Sequence, residues 1–219
     1  IADDLQDAGI EVPASVEEAL GRARGLLRRQ VALIEDLLAY ARTTSANAAP
    51  QIIQPNERVS TIMALIDLPE GFSIEFEQGL PQVLADPAAF DLVVRNLLNN
   101  AIKHHDRKRG NIVLRSELAG EGQIAILIED DGPGIEDAYA ERVFEPFFRL
   151  AAQDENAGSG LGLSVIQNAV EAWGGSVSIS QLAPRGTSIR FTIHVSEVKT
   201  LVSSSATVVR NTTGQVAKG

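Results

Sequence analysis

The sequence contains no cysteine, one methionine, one tryptophan and three histidines. Because cysteine is absent, disulfides, thiolate metal sites and catalytic thiols are excluded. No apolar run approaches the roughly 18 residues that a membrane-spanning helix requires, and no signal peptide is visible. The chain begins at Ile1, and its single methionine is Met63. We therefore expect a fragment or a processed product, with further sequence upstream.

Basic residues are also in the minority. The chain has 19 Lys and Arg against 29 Asp and Glu, which gives a formal net charge of -10. A negative surface argues against nucleic acid or an anionic membrane as the main partner. A small anion in a locally positive pocket stays open. With 219 residues, 44% of them hydrophobic, the chain is long enough for one good-sized core or one domain plus a small appendage.

The N-terminal part of the chain predicts helices. Residues 1–12 predict a short helical piece, and Ser15 with Glu18 fits a capping box that starts a long helix ending near Arg42. A heptad seam follows spacings of four and three along this helix, at Leu20, Arg24, Leu27, Val31, Ile34, Leu38 and Ala41. The seam favours one arm of a helical hairpin that pairs with a second subunit, over an ordinary amphipathic helix packed on its own domain. The proline-punctuated segment Thr43–Pro55 indicates a linker.

The rest of the chain mixes strands and helices. A helix or turn is predicted around Val59–Ile66, and helices are predicted from Asp86-Pro87 to the HHDRKRG loop, near Ala138–Val143 and over Leu161–Trp173. Strands are predicted at Phe72–Glu77, Ile112–Glu117, Gln123–Glu129, Ser176–Gln181 and Ser188–Val195. From Ser196 we expect a loosely ordered tail with a short strand at Thr207–Arg210. This order favours an α+β sandwich with a mixed sheet over a doubly wound parallel fold.

The stretch NLLNNAIKH, which begins at Asn96, carries three asparagines in a predicted helix, although asparagine is a poor helix former. Asn96, Asn100 and Lys103 share one helix face. An amide oxygen is a suitable ligand for Mg²⁺, and the lysine beside it could meet a phosphate. On this helix alone, a solvated polar face is the commoner explanation.

Two further clusters favour a functional site over a solvated polar face. In IEDDGPGI, residues 128–135, a carboxylate could accept a hydrogen bond from a purine amine, and the glycines permit close approach of the base; a plain acidic turn is the alternative. In GSGLGL, residues 158–163, free N–H groups at a helix start could bind phosphate. This loop lacks the Lys-Ser/Thr of a P-loop and does not closely follow a strand, so a Rossmann site is excluded.

In this order, NLLNNAIKH, DDGPGI, VFEPFFRL and GSGLGL resemble the N, G1, F and G2 boxes of sensor histidine kinases, whose ATP-binding domain has the GHKL or Bergerat fold. Pro184-Arg185-Gly186-Thr187 resembles the late glycine-threonine element, and the resemblance covers about residues 83–195 well. The heptad helix, ending LIEDLLAYAR, resembles the second helix of the family's dimerisation domain. The resemblance implies a two-layer α/β sandwich with a mixed sheet (residues 49–197), preceded by a helical dimerisation segment (1–48) and followed by a tail (198–219).

The resemblance also implies roles for individual residues. Asn100 matches the Mg²⁺ ligand and Asn96 a supporting polar position, while Lys103 and His104 match positions that line the phosphates and base; we assign Asn100 and Lys103 to catalysis. Asp130 matches the carboxylate that reads adenine. The other implied nucleotide-binding positions are Gly132, Gly134, Ile135, Phe144, Phe148, Arg149, Gly158, Ser159, Gly160, Leu161, Gly162, Leu163 and Thr187. Phe147 belongs to the same F box, and Leu150–Ala157 matches the mobile ATP lid.

Position 96 separates two activities within this fold. The gyrase-, MutL- and Hsp90-like ATPases carry Glu-x-x-x-Asn, in which the glutamate activates water. Here the equivalent residue is Asn96, and a neutral amide is no general base. The site therefore suits phosphoryl transfer to a protein nucleophile.

The phosphoacceptor is the missing part of this interpretation. The family's acceptor motif H-[DE]-x-[RK]-x-P is absent. His105-Asp106-Arg107-Lys108 lacks the proline, so we interpret it as a basic, solvated loop, and His194 as structural. We expect the phosphoacceptor histidine upstream of Ile1.

The resemblance also implies cofactors and protein partners. ATP and Mg²⁺ are the expected cofactors, with a homodimer formed through the helical segment and a response-regulator receiver domain whose aspartate receives the phosphoryl group. Nucleic acid and direct membrane contact are not expected for this cytoplasmic fragment. Two other functions stay open, a non-catalytic adaptor with this fold and an anti-sigma-type serine/threonine kinase.

Overall fold

The computed structural model describes residues 14–45, 50–120, 122–150, 159–196 and 206–210. The helices are α1 (Ala14–Ser45), α2 (Pro55–Leu65), α3 (Pro87–Lys103) and α4 (Gly162–Ala172). The strands are β1 (Gln51–Ile53), β2 (Phe72–Glu77), β3 (Val83–Ala85), β4 (Gly110–Gly120), β5 (Gln123–Asp130), β6 (Val177–Gln181), β7 (Thr187–His194) and β8 (Ala206–Arg210). Two 3-10 helices, Asp137–Tyr139 and Arg142–Phe144, lie between β5 and α4.

Six strands form the main sheet, in the order β6-β7-β5-β4-β2-β8. β2 and β4 are parallel, whereas the other neighbouring pairs are antiparallel. β1 and β3 pair in a separate two-stranded sheet. The β5–β7 register places Thr187 opposite Asp130, and this pairing brings the late glycine-threonine element to the G1 turn.

The hydrophobic core lies between the main sheet and the helices. α3 and α4 pack on one face of the sheet, and α2 packs against α3. Phe76, Phe90, Ile126 and Phe191 are fully buried there, each contributing about 1.5–3 kcal/mol by burial. The architecture is therefore a two-layer α/β sandwich with a mixed sheet, which confirms the predicted α+β class.

Helix α3 begins and ends at the predicted residues. The Asp86 side chain caps it by accepting a hydrogen bond from the Ala89 N–H at 2.8 Å, and Pro87 follows at the first helical position. The predicted buried face is confirmed at Phe90, Val94, Leu97, Leu98 and Ala101. Asn96 and Asn100 lie at the edge of that face and are half-buried. The apolar stripe thus fixes the direction in which the two amides point.

Helix α1 leaves much of its heptad seam exposed. Leu27, Val31, Ile34 and Leu38 have exposed fractions of 61%, 54%, 56% and 52%. A surface helix that packs on its own domain would bury such a stripe. α1 does contact α4, but that contact leaves these four side chains accessible. Among the described residues, no helix combines the length and apolar character needed to span a bilayer.

Several boundaries differ from the sequence predictions. The segment predicted as a linker, Thr43–Pro55, contains the end of α1, the whole of β1 and the first residue of α2. The sequence does not predict β1 and β3, because three-residue strands carry too little alternation to be detected. α1 already includes Ala14, so Ser15 lies inside its first turn. The predicted helical piece at residues 1–12 lies outside the described residues, whereas the predicted C-terminal strand is present as β8.

Candidate nucleotide-binding site

The side chain of Asn100 faces the first residue of α4. A Cβ atom placed on Gly162 would lie 3.8 Å from Asn100 Nδ2. The glycine therefore keeps open the space beside the half-buried amide. The first N–H groups of an α-helix have no intrahelical acceptor and favour anions. The structure thus brings the N-box amide to a potential phosphate-binding helix start.

The loop before α4 is held by the F box. The Phe147 N–H donates to the Gly160 carbonyl at 2.9 Å, and the Leu161 N–H donates to Ser159 Oγ at 3.1 Å. Gly160 has a φ of +76°, and a Cβ there would lie 2.8 Å from the Phe147 carbonyl carbon. Phe147 itself has a φ of +66°, a strained backbone conformation for a non-glycine residue. Only glycine fits at position 160 in this arrangement.

The Asp130 carboxyl group lies half-buried at the end of β5. Burial raises its pKa above the ordinary value, and hydrogen bonds from the backbone N–H groups of Gly132 and Thr187 and from the Thr187 hydroxyl oppose that rise without cancelling it. The Gly132 bond to Asp130 Oδ1 measures 2.9 Å. A half-buried carboxylate held by N–H donors is well suited to accept a further hydrogen bond from a ligand amine.

Glycines allow the turns around Asp130 to pack closely. A Cβ on Gly132 would lie 2.7 Å from Asp130 Oδ1, and one on Gly134, where φ is +85°, would lie 3.0 Å from the Gly186 carbonyl oxygen. A Cβ on Gly186, where φ is +117°, would overlap the Asp130 carbonyl oxygen. The G1 turn and the late glycine-threonine turn therefore form one packed unit, although they are far apart in sequence.

The neighbouring Asp131 holds a buried histidine. His105 Nε2 donates to Asp131 Oδ1 at 3.0 Å, and His105 Nδ1 accepts from the Arg107 N–H at 3.1 Å. These two bonds engage both ring nitrogens, Nε2 as a donor and Nδ1 as an acceptor. The ring has no exposed surface and contacts Phe72 edge-to-face at 5.1 Å. The predicted solvated loop is therefore right for Asp106, Arg107 and Lys108, which are exposed, and wrong for the His105 ring, which is buried.

The same Asp131 oxygen accepts the Asn111 N–H at 2.7 Å. Burial acts to raise the pKa of Asp131, but the bonds from Asn111 and His105 outweigh it, so the pKa lies below its usual value. The two acidic residues of DDGPG thus have different roles. Asp130 faces the candidate site, and Asp131 anchors the loop that follows α3.

The remaining predicted site residues fall into three groups. Buried positions of the structural frame are Phe144, Leu161 and Thr187. Half-buried positions are Ile135, Phe148, Ser159 and Leu163, and exposed positions are Lys103, His104 and Arg149. Arg142 lies over the Phe148 ring, 4.5 Å from its centroid. Gly158 and nearly all of the predicted lid, residues 151–157, lie outside the described residues.

The donor set at Asn100 fits magnesium bound together with a phosphate ligand. In the described part of the chain, no group of three or more His, Asp or Glu side chains could hold a metal. A single amide oxygen is a hard ligand, and Mg²⁺ in nucleotide sites keeps several waters and phosphate oxygens in its shell. Among the described residues, a Cβ atom placed on Gly162 would meet only Asn100 Nδ2 within 4 Å. Asn100 therefore fits as one protein ligand among several non-protein ones.

Sequence reasoning misses three residues that hold the site together. It predicts a solvated His105 and gives no role to Asp106 or Arg185. Arg185 donates to both the Gly132 carbonyl and the Asp106 carboxylate. No local pattern signals this contact, because its partners come from separate loops.

Residues 85–197 match the family described as "Histidine kinase-, DNA gyrase B-, and HSP90-like ATPase". The match covers just over half of the 219-residue chain, and the chain therefore belongs to this family. This membership implies use of ATP and confirms the family resemblance of the motifs.

The chain is also similar to individual sensory kinases and to solved structures. The adaptive-response sensory kinase SasA of Synechococcus sp. (strain JA-3-3Ab) is 29% identical over 181 residues, covering 79% of this chain and 48% of the relative. The structure of full-length ShkA in complex with AMPPNP gives a TM-score of 0.64 at 20% identity, covering 86% of this chain and 41% of ShkA. Histidine kinase ThkA in complex with response regulator protein TrrA gives 0.61 at 20% identity, covering 85% and 53%.

The solved structures and the curated relatives support different conclusions about this chain. At 20% identity the two structures show a shared fold. The chain spans about half the length of the first curated relatives that it matches. The relatives' names describe their own activities as complete proteins.

Proposed function

We propose that this chain is the ATP-binding kinase core of a two-component sensor histidine kinase. It binds MgATP, transfers the γ-phosphoryl group to a histidine, and the group passes on to an aspartate of a response regulator. The family membership and the sensory kinases among the relatives support this function. Because ATP is the substrate, we assign this part of the chain to the cytoplasm.

One observation favours a kinase over a hydrolase. Asp91 is the only acidic residue in α3, and Arg58 holds it with bonds of 2.6 and 2.7 Å to its two carboxylate oxygens. Asn96, one turn before Asn100, offers only an amide. The helix therefore has no available carboxylate that could deprotonate an attacking water. ATP bound there waits for a nucleophile supplied by another protein segment.

The chain's own residues then bind and orient. Asp130 accepts a hydrogen bond from the exocyclic amine of adenine, and Asn100 supplies an oxygen to Mg²⁺, which neutralises phosphate charge when it is bound. We expect Lys103 and the start of α4 to favour the phosphates. In the transfer, the bond from the γ-phosphorus to the bridging oxygen breaks, a phosphorus–nitrogen bond to imidazole forms, and ADP leaves.

We place the acceptor histidine in a segment other than those described, because the family's acceptor motif H-[DE]-x-[RK]-x-P is absent from this sequence. His105 is excluded, because its ring is buried and both its nitrogens are engaged. His194 lies in β7, where its Nε2 is 2.9 Å from Gln123 Nε2. We place the acceptor on the first helix of a hairpin whose second helix is α1. Two copies would pair through α1, and the ThkA–TrrA complex supports a receiver domain as the next partner.

Nucleotide binding by the 219-residue chain is the first test. Calorimetry and thermal unfolding are measured with Mg²⁺ and ATP, ADP or no nucleotide. A ligand present at about 100 times its Kd should stabilise the fold by about 2.7 kcal/mol. An unchanged unfolding temperature and no binding heat would instead indicate a non-catalytic adaptor.

Phosphoryl transfer is the second test. A chain extended upstream of Ile1 is incubated with radiolabelled ATP and Mg²⁺, and the phosphorylated residue is located. We expect acid-labile label on histidine, which an excess of receiver domain removes. Acid-stable label on serine or threonine would support the anti-sigma-type kinase, and phosphate released to water without protein label would support a hydrolase.

A further inference from the structure

Arg185 joins two loops that reach it from different parts of the chain. Its Nε donates to the Gly132 carbonyl at 2.7 Å, and its Nη2 donates to Asp106 Oδ1 at 2.7 Å. The side chain is only 25% exposed, against 47% for Asp106. A planar guanidinium suits such a bridge, because its donors point in fixed, separate directions.

The contact to Gly132 bears directly on Asp130. The Gly132 carbonyl is held by Arg185, while the Gly132 N–H donates to Asp130 Oδ1 at 2.9 Å. Arg185 therefore helps to fix the orientation of the Asp130 carboxyl group by way of Gly132. If Gly132 turned, Asp130 would lose one of the hydrogen bonds that fix its rotamer.

The contact to Asp106 holds the loop that follows α3. Asp106 lies in the loop that leaves α3, two residues after His104. Its neighbour His105 binds Asp131 in the same G1 turn at 3.0 Å. The loop after α3 and the G1 turn are thus tied together twice, once through Asp131 and once through Arg185. The second tie also reaches the late glycine-threonine turn, since Arg185 belongs to it.

We propose that Arg185 is a positioning residue that sets how tightly and how selectively the site binds the adenine base, acting through Gly132 on Asp130 and through Asp106 on the loop after α3. This inference rests on the proposed binding of ATP. One of its hydrogen bonds holds Gly132, which binds Asp130, and the other ties the G1 turn to the loop after α3, so we expect the contribution of Arg185 to concern the base. Its loss should therefore reduce the preference for a 6-amino purine, besides lowering affinity.

The test compares ATP with inosine triphosphate, which carries an oxygen in place of the 6-amino group. Arg185→Met keeps the aliphatic stem and removes all five donors. Arg190→Met is the matched control, since Arg190 is 33% exposed in adjoining β7 but pairs with Glu117 on the other sheet face at 3.0 Å. Kd values for both nucleotides are measured by calorimetry and by competition on the full chain, with unfolding temperatures recorded for every variant.

In the wild type, ATP should bind more tightly than inosine triphosphate. In Arg185→Met, the Kd for ATP should rise about 5- to 20-fold, the range that follows from losing one or two hydrogen bonds. The Kd for inosine triphosphate should change less than about twofold, and Arg190→Met should match the wild type with both. Equal losses with both nucleotides would show a merely structural role, and unchanged binding of both would also overturn the inference.

Two milder variants keep the test decisive if Arg185→Met does not fold. Asp106→Asn retains the bond to Gly132, and Arg185→Lys retains the charge but cannot reach both partners in the same fixed geometry. In each variant the Kd for ATP should rise by less than in Arg185→Met, while the Kd for inosine triphosphate stays nearly unchanged. The double variant Asp106→Asn with Arg185→Lys should lose less free energy of ATP binding than the sum of the losses in the two single variants. Wild-type ATP affinity and selectivity in all of them would refute the inference. Absence of ATP binding in the wild type would instead refute the proposed function.

Discussion

Glu129 and Asp130 are neighbours in β5, yet their carboxyl groups lie on opposite faces of the sheet and their pKa values shift in opposite directions. Glu129 faces outward, where a hydrogen bond from Arg115 at 2.7 Å lowers its pKa. Asp130 faces the candidate site, where burial raises its pKa. The alternation of side chains along a strand separates a stabilising ion pair from a group held ready for a ligand.

This difference makes Asp130→Asn informative. Partial burial makes the ionised form of Asp130 costly and raises its pKa. The protonated form therefore stabilises the fold, a contribution that is complete below the ordinary Asp pKa and is lost as pH rises through the folded value. At neutral pH the variant should therefore unfold at the same or a higher temperature than the wild type. That advantage should shrink as the pH falls and wild-type Asp130 becomes protonated.

The affinity for ATP, unlike the stability, should decrease in the Asp130→Asn variant. The introduced amide would present a donor where one carboxylate oxygen of Asp130 accepts, so the affinity for ATP should fall while the fold persists. Calorimetry at neutral pH measures this affinity, and thermal unfolding between about pH 4 and pH 8 measures the stability. ATP bound as tightly as by the wild type would show that Asp130 does not read the base.

The Asn100→Ala substitution tests whether the Asn100 amide binds magnesium or only supports the structure. Changing a residue that merely supports a metal ligand already costs about 10- to 100-fold in affinity, so the loss of a ligand should lower the affinity for MgATP at least about tenfold. Binding of ATP in the presence of EDTA should change little. Asn100→Asp should also upset Mg-nucleotide binding while leaving the fold intact.

Asn99 offers the matched control for this prediction. It is adjacent in sequence but exposed, about 100° away around the helix, and Asn99→Ala should bind MgATP like the wild type. Equal losses from both substitutions, or an affinity independent of Mg²⁺, would contradict the ligand role of Asn100.

The two glycines of the G2 loop should respond differently to alanine. Gly160→Ala forces a side chain into the left-handed region and against the Phe147 backbone, and it should lower the free energy of unfolding by at least about 1 kcal/mol. Gly162→Ala meets only an ordinary contact at 3.8 Å and improves helix propensity by up to about 1 kcal/mol. Denaturant unfolding should rank them in that order.

Binding gives an independent readout for Gly162→Ala. Its new methyl group enters the space beside the Asn100 amide, so affinity for MgATP should fall in a protein that is fully stable. If the variant binds MgATP normally, that space does not receive the phosphates or their metal ion.

Ile34→Glu tests pairing through α1. Ile34 is 56% exposed, and burying an isoleucine is worth about 2 kcal/mol. Because a symmetric dimer buries two copies, the dissociation constant should rise at least about 100-fold. Sedimentation of the full chain over a range of concentrations measures it.

Gln30→Glu places the same charge at an exposed position outside the seam and should leave self-association unchanged. Both variants should bind ATP like the wild type, because α1 lies outside the candidate site. A monomeric wild type at every concentration would contradict pairing through this helix alone.

Much of the fold is predictable from local patterns. The Asp86-Pro87 start of α3, its apolar stripe and the Gly174-Gly175 end of α4 all appear where the sequence places them, since capping and amphipathic spacing act over a few residues. Strands β1 and β3 are not predictable in this way, because each is three residues long and is defined by its partner. The sequence predicts β8 as a strand but not its place beside β2.

The sequence by itself determined which chemical groups are present and their order: the amides of α3, the paired aspartates and the glycine-rich loop. Only the tertiary structure decided what each group does. It placed the Asp130 carboxyl group against the Gly132 N–H and Asp131 against His105, buried the His105 ring within a loop that is otherwise exposed, and set Arg185 between Gly132 and Asp106. Hydrogen bonds between distant loops depend on how the whole chain closes, and no local periodicity records that closure.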